Sequence, residues 1–153
     1  MSAAATALDR GLNRLIYTRE FLRTLRPKAL QKLVRHPGLF EAEALRGART
    51  FRRFDDLFIA PVHGFADAAE YWPRAGSKPH LNAILVPTLL INARNDPFLP
   101  SGALPRPHQV APAVTLEFPA QGGHAGFPSH PPSDGLPWLP ARILEFFGSA
   151  PAG

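Results

Sequence analysis

The chain has 153 residues, of which 45% are hydrophobic and 10% aromatic, and this is enough apolar material for one packed domain. It contains no cysteine, which excludes disulfides and thiolate metal sites, and its net charge of +5 is concentrated in residues 1–60, with 12 Lys/Arg and 6 Asp/Glu. Because no segment approaches the roughly 18 apolar residues of a membrane span and the start lacks a signal-peptide core, we expect a cytoplasmic protein.

The first half of the sequence predicts irregular helices. Six apolar residues recur at three- and four-residue steps and predict an amphipathic helix with one apolar face: Leu8, Leu12, Leu15, Ile16, Leu22 and Leu25. Pro27 predicts the start of a second helix, which Pro37 and Gly38 would end. Helical pieces follow over residues 41–58, and "ADAAEYW" predicts one more helix before a turn.

The basic residues of this first half have two interpretations. A basic surface is typical of proteins that bind nucleic acid or lipid, but here the charges alternate with leucines at helical spacing and no pattern of stacking aromatic residues accompanies them. Solvated helix faces are the favoured interpretation, and no nucleic-acid partner is expected. The alternative is a non-catalytic interaction module that binds an anionic partner through Arg10, Arg14, Arg19, Arg23 and Arg26.

After residue 84 the pattern becomes that of an α/β core. "ILVPTLLINA" is a continuous apolar run of strand length, which is typical of a parallel strand buried on both faces. "AVTLEFPA" predicts a second strand, and "WLPARILEFFGS" predicts a terminal amphipathic helix with Ile143, Leu144 and Phe147 on its apolar face. The order strand, loop, strand, loop, helix indicates a segment of an α/β fold.

Two chemically active side chains follow these strands. Asp96 lies in "NDPFLP" after the first strand, and His124 lies in the glycine loop "QGGHAGF" after the second. Catalytic groups of open α/β sheets lie beyond the carboxyl ends of strands, where a carboxylate can accept the Nδ1 proton of a histidine and leave Nε2 as a general base. Taken singly, Asp96 is equally explained by a turn that ends the strand, and His124 by a loop position without a chemical task.

A metal site is the weaker alternative for these histidines. His124 and His130 are six positions apart, whereas zinc sites favour closer spacings on a helix. Since no cysteine or nearby glutamate completes a ligand set, no metal is expected.

A hydrolytic triad also needs a nucleophile, and no serine of the sequence lies in the G-x-S-x-G motif that exposes one. The six serines are Ser2, Ser77, Ser101, Ser129, Ser133 and Ser149. In α/β-hydrolases the serine and its oxyanion hole precede the acid and the histidine along the chain. Both parts would therefore lie before residue 1.

Three blocks of the sequence, "FRRFDDLFIAPVHGFADAAEYW", "LNAILVPTLLINARNDPFLP" and "QGGHAGF", resemble the C-terminal half of the YheT-like α/β-hydrolases, a group of predicted carboxylesterases related to acylglycerol lipases. The resemblance implies an α/β class, partial α/β-hydrolase fold. Residues 1–82 would form a helical cap-like region and the return to the core, and residues 83–150 the last two parallel strands and a C-terminal helix. It also implies that Asp96 is the triad acid and His124 the triad base, with a small ester as substrate and no metal or organic cofactor.

The missing nucleophile predicts that the isolated chain does not hydrolyse esters. A truncated coding sequence, a separate chain that supplies the N-terminal half, or an unrelated binding role would each account for it. Trp72, Phe98 and Phe127 are candidate liners of an acyl pocket, with core packing as the alternative explanation of each. An incomplete sheet would also leave a strand edge and apolar surface exposed.

Overall fold

The computed structural model describes residues 2–128 and 137–149. The chain divides into two compact units, Met1–Gly76 and Ser77–Gly153. The sequence predicts a boundary between residues 82 and 83, and the assignment of the first part as a cap-like region stays a prediction.

The first unit consists of helices and the turns that join them. Their bounds are α1 Ala3–Leu8, α2 Gly11–Asn13, α3 Arg19–Arg35, α4 Ala42–Arg46, α5 Phe51–Phe54, α6 Ala60–Val62 and α7 Ala68–Ala75. The π-helical segments Arg14–Thr18 and Asp55–Ile59 join α2 to α3 and α5 to α6. Side-chain oxygens of Ser2, Thr50 and Asp67 accept backbone N–H groups at the starts of α1, α5 and α7, which satisfies donors that a helix leaves open.

The core of the first unit lies between α3, α4 and α5. Its fully buried members are Leu22, Ala29, Leu45, Ala48 and Phe54. A residue far away in the sequence also fixes the N-terminus of α5, because the carboxylate of Asp9 accepts the backbone N–H groups of Phe51 and Arg52 at 2.7 and 3.0 Å. Contacts between residues far apart in the sequence therefore position these short helices.

The N-terminal apolar face that the sequence predicts is divided in the structure. Leu22 is 1% exposed and lies in the core, whereas three other members of that face are largely exposed: Leu12 (73%), Leu15 (67%) and Ile16 (58%). Leu15 and Ile16 lie within the π-helical segment Arg14–Thr18, which separates Leu12 from Leu22, and its wider turn rotates the residues that follow relative to those before it. The prediction of one continuous apolar face is therefore wrong.

The predicted start of a second helix at Pro27 is also wrong. α3 runs without a break from Arg19 to Arg35, and Pro27 lies inside it. A proline within a helix costs about 3 kcal/mol, but α3 buries Leu22 before the proline and Ala29 after it in the same core. Packing on both sides of Pro27 keeps the helix continuous.

A partly buried carboxyl group lies where α5 ends. Oδ2 of Asp55 accepts a hydrogen bond from the indole Nε1 of Trp72 at 2.8 Å. Burial raises the pKa of Asp55 to about 6; the hydrogen bond from Trp72 opposes this rise, and the nearby carboxylates of Asp56 and Asp9 add to it.

Replacing Asp55 with asparagine is expected to stabilise the protein more at neutral pH than at acid pH. The folded pKa lies above the ordinary value of 3.8, so the folded state binds more protons than the unfolded state between 3.8 and about 6. Stability is therefore lost as the pH rises through this window. Asparagine keeps an acceptor for Trp72 and does not ionise. Thermal denaturation of wild type and Asp55→Asn below about pH 4 and above about pH 7 measures the effect, and a difference in Tm that does not change with pH would contradict it.

The second unit contains the sheet. Its elements are the 3-10 turns Lys78–Ala83, Ser101–Ala103 and Pro107–Gln109, the strands β1 Thr88–Ile91 and β2 Val114–Glu117, and the helix α8 Trp138–Ser149. The two strands pair in parallel, with Thr88 opposite Val114. The predicted α/β class, the two parallel strands and the C-terminal helix are confirmed, although both strands are shorter than the apolar runs that predict them.

The apolar run before and within β1 is only partly buried. Within the described residues the sheet has two strands, so the side chains of β1 keep part of their surface in solvent. The expectation of a strand buried on both faces is therefore wrong for this chain. Further large apolar residues of this unit are exposed: Leu85 (91%), Val86 (66%), Ile143 (37%), Leu144 (59%) and Phe147 (70%). In the part of the chain that the structure describes, every helix is too short or too polar to cross a membrane.

Candidate active site

The two predicted site residues lie in the loops that follow the two strands. β1 and β2 are parallel and in register, so the loop that carries Asp96 and the loop that carries His124 leave the sheet at the same edge. The pairing continues past the strands, because the backbone N–H of Arg94 donates to the carbonyl of Pro119 at 2.8 Å. This extension holds the two loops beside each other.

Asp96 and His124 are in direct contact. Nδ1 of His124 lies 3.0 Å from Oδ2 of Asp96. The Asp96 side chain is fully buried, whereas the His124 side chain is 61% exposed. An ionised carboxylate only accepts hydrogen bonds, so Nδ1 carries the proton and Nε2 is the basic nitrogen. A fixed tautomer on an accessible ring is the arrangement that a general base requires.

Asp96 also shapes its own loop. Its other oxygen, Oδ1, accepts the backbone N–H groups of Phe98 at 2.7 Å and Leu99 at 3.3 Å. This is the turn that the sequence offers as the alternative explanation of Asp96. Asp96 can therefore both end the strand in a turn and contact His124, because Oδ1 forms the turn and Oδ2 faces the imidazole.

These contacts determine the charge of Asp96. Burial alone would raise its pKa, but the hydrogen bond and charge of His124 and the N–H groups of Phe98 and Leu99 outweigh burial and hold the pKa below its ordinary value. Asp96 is therefore ionised at neutral pH and can stabilise a positive charge on His124.

The glycines before His124 allow a close approach between two loops. A Cβ atom on Gly122 would lie 2.7 Å from Cβ of Ala93 and 2.8 Å from the ring of Phe127, which is closer than such atoms come. The next residue, Gly123, donates its N–H to the carbonyl of Gly126 at 2.6 Å and closes a tight turn around His124. The sequence predicts a sharp turn here, and the structure adds that Gly122 is required by packing.

The three candidate pocket residues have different surroundings. The ring of Phe98 lies 4.9 Å from the His124 ring, and the ring of Phe127 lies 4.9 Å from that of Trp138 at the start of α8. Trp72 belongs to the first unit, where it donates to Asp55. Phe98 thus contacts the Asp96–His124 pair, and the role of all three as acyl-pocket liners stays a prediction.

The predicted metal alternative is tested only in part. His130 lies outside the described residues. Among the residues that the structure does describe, no three His, Cys, Asp or Glu side chains cluster in a way that could hold a metal ion.

Two features of this unit have no counterpart in the sequence predictions. Arg142 on α8 donates through Nε to Oε2 of Glu117 at 2.7 Å, which ties the terminal helix to the end of β2. The second is a cavity of about 440 Å³, whose wall includes Leu116, Phe118, Arg94 and Arg106. No local pattern could reveal either feature, since each depends on residues more than ten positions apart.

The second unit places a buried carboxylate against an exposed imidazole beyond two parallel strands. A family model for the alpha/beta hydrolase fold matches residues 10–131, and the chain therefore belongs to the α/β-hydrolase family. The predicted resemblance to this family is confirmed.

Individual relatives agree with this family. The chain is 35% identical over 148 residues to YheT of Escherichia coli (strain K12), a protein named as a candidate esterase. The matched residues cover 95% of this chain and 43% of YheT. It is 31% identical over 130 residues to phospholipase ABHD3 of Mus musculus, covering 82% of this chain and 31% of that protein. A third relative is medium-chain fatty acid ethyl ester synthase/esterase 2 of Saccharomyces cerevisiae (strain ATCC 204508 / S288c), 33% identical over 122 residues, which cover 74% of this chain and 26% of the yeast protein. The chain thus spans less than half the length of these relatives, and no solved structure matches it.

Proposed function

We propose that Asp96 and His124 are the acid and the base of a serine hydrolase that acts on carboxylic esters, and that the serine and the oxyanion hole are supplied from outside this sequence. The observation that carries the proposal is the 3.0 Å contact between a buried carboxylate and an exposed imidazole beyond two parallel strands. Membership of the hydrolase family supports the reaction class. The names of the relatives, an esterase, a phospholipase and an ethyl ester synthase/esterase, support an ester substrate.

On this proposal each nitrogen of His124 has its own role. Nε2 accepts the hydroxyl proton of the serine as the serine oxygen attacks the ester carbonyl, and it then returns that proton to the alcohol as the ester C–O bond breaks. A water molecule repeats the same proton transfer to release the acid and regenerate the serine. Asp96 holds Nδ1–H throughout and stabilises the imidazolium while Nε2 carries the proton.

On this proposal the chain alone does not hydrolyse esters above background. None of its serines lies in a G-x-S-x-G elbow, so His124 has no activated serine to deprotonate. A separate chain or a preceding segment that carries the elbow would complete the site.

The proposal is tested by fusing the N-terminal half of YheT to this chain and measuring the hydrolysis of a short-chain p-nitrophenyl ester. We expect turnover by the fusion, none by the chain alone, and loss of turnover in the fusion that carries His124→Ala. His108→Ala is the matched control, because His108 is an exposed histidine of the same unit, in the 3-10 turn Pro107–Gln109. A folded fusion without turnover would contradict the proposal, as would turnover that survives His124→Ala. Turnover by the chain alone that disappears in His124→Ala would place the nucleophile within this sequence.

A further inference from the structure

Phe98 contacts both members of the Asp96–His124 pair. Its backbone N–H donates to Oδ1 of Asp96 at 2.7 Å. Its ring centroid lies 4.9 Å from that of His124, and the planes of the two rings are inclined by 57°. One residue therefore contacts the carboxylate through its main chain and the imidazole through its side chain.

The hydrogen bond to Asp96 does not by itself fix the plane of the imidazole. It joins Nδ1 of His124 to Oδ2 of Asp96 at 3.0 Å and so holds one atom of a ring whose side chain is 61% exposed. The torsion that turns a histidine ring about its Cβ–Cγ bond has a broad energy minimum. An exposed ring held at one atom can therefore tilt away from the orientation in which Nε2 acts as a base.

The ring of Phe98 supplies a second contact to the imidazole. Aromatic pairs favour tilted or offset arrangements with centroids about 4.5–7 Å apart, and the Phe98–His124 pair has this geometry. Phe98 is half-buried, and its backbone is held in the turn that Asp96 forms, which keeps its ring beside the imidazole. Because most of the His124 side chain stays exposed, this contact can restrict the orientation of the ring without blocking access to it.

We propose that Phe98 is a positioning residue for His124: its ring holds the imidazole plane so that Nδ1 faces Asp96 and Nε2 is accessible as the base. This role rests on the proposed function of Asp96 and His124. It differs from the predicted role of Phe98 as a liner of an acyl pocket. A pocket liner contributes to substrate binding and affects mainly KM, whereas a residue that orients the base contributes to proton transfer and affects kcat.

The first test measures the motion of the His124 ring by carbon-13 NMR relaxation of its Cε1–H bond in the chain itself. In wild type we expect an order parameter of about 0.85, the value of a rigid group. Phe98→Leu removes the flat ring but keeps the backbone N–H that Asp96 accepts, and we expect the order parameter to fall below about 0.6. Phe98→Tyr keeps a ring at this position and should retain the wild-type value.

The second test measures steady-state kinetics of the fusion with the N-terminal half of YheT. We expect Phe98→Leu to lower kcat by roughly threefold to tenfold, with little change in KM, and Phe98→Tyr to keep the wild-type kcat. Phe118→Leu is the matched control. Phe118 is another half-buried phenylalanine of the same unit, but its ring lies beside Arg94, and its loss should change neither the order parameter of His124 nor kcat.

Circular dichroism checks that each variant folds, and Phe98→Met replaces Phe98→Leu as the variant without a ring where leucine does not fold. An unchanged order parameter and kcat in the variant without a ring would overturn the role of Phe98. So would an equal loss in Phe118→Leu, or a rise in KM with kcat unchanged, which would make Phe98 a pocket liner.

Failure of this role and failure of the proposed function give different results. A fusion that hydrolyses the ester, loses turnover in His124→Ala and is unaffected by loss of the Phe98 ring would overturn the role of Phe98 alone. A folded fusion without turnover would contradict the proposed function. The relaxation measurement on the chain itself would still decide whether the Phe98 ring holds the imidazole.

Discussion

Asp96→Asn is expected to lower kcat of the hydrolase fusion by about 10⁴-fold without unfolding it. The Oδ1 atom of asparagine can still accept the N–H groups of Phe98 and Leu99, so the turn after β1 is kept. The position of Oδ2, however, becomes an NH₂ donor facing Nδ1 of His124. A donor at this position favours the tautomer with the proton on Nε2, and that tautomer cannot take a proton from serine.

Steady-state kinetics of the fusion measures this effect, and the loss should fall on kcat while KM changes little. Asp67→Asn is the control, since Asp67 also accepts a backbone N–H, that of Glu70, but does so at the start of α7. A loss of less than about tenfold for Asp96→Asn, or an equal loss for Asp67→Asn, would contradict the role of Asp96 as the positioning acid.

The same substitution has a pH signature in folding. The pKa of Asp96 is lower in the folded chain than its ordinary value, so its carboxylate contributes stability above about pH 4, and this contribution is lost as the pH falls through the folded pKa. Wild type should therefore lose stability in acid relative to Asp96→Asn. Measuring the stability of wild type and Asp96→Asn as a function of pH needs only the chain itself. It distinguishes an ionised, hydrogen-bonded carboxylate from a merely structural side chain.

Gly122→Ala is expected to destabilise the chain by about 1–3 kcal/mol and to displace the loop that carries His124. The new Cβ would lie 2.7 Å from Cβ of Ala93, which is itself fully buried and rigidly attached to the backbone. The Phe127 ring at 2.8 Å closes the other side. The Cβ of Ala93 cannot yield without movement of its backbone, and His124 lies two residues from Gly122.

Urea denaturation of the full chain measures the stability change, and kcat of the fusion reports the displacement of His124. Gly102→Ala is the matched control, because a Cβ at Gly102 would have no atom of the described residues within 4 Å. If Gly122→Ala proves as stable and as active as Gly102→Ala, the close approach of the two loops is not a constraint on this protein.

The sequence by itself determined the class of the fold and the identity of the acid and histidine candidates. The apolar runs around β1 and β2 predict strands because a buried strand needs apolar residues on both faces, and the loops after parallel strands must share one edge of the sheet. These are local patterns combined with one rule of topology, and they were sufficient to place Asp96 beside His124. The strand ends were less well determined, since hydrogen bonding to the neighbouring strand decides where a strand stops.

Tertiary structure alone decided which apolar residues are buried and what each polar group contacts. Leu12 and Leu22 belong to the same regular helical spacing, yet only Leu22 reaches the core. A π-helical turn lies between them, and it is Leu22 that packs with Leu45 and Phe54. Pro27 stays within α3 because Leu22 before it and Ala29 after it pack in the same core. Likewise, the close packing of Gly122 on Ala93 joins residues far apart in the sequence. The periodicity of apolar residues predicts local secondary structure. Burial and contacts depend on which distant segments pack together, and no short stretch of sequence contains that information.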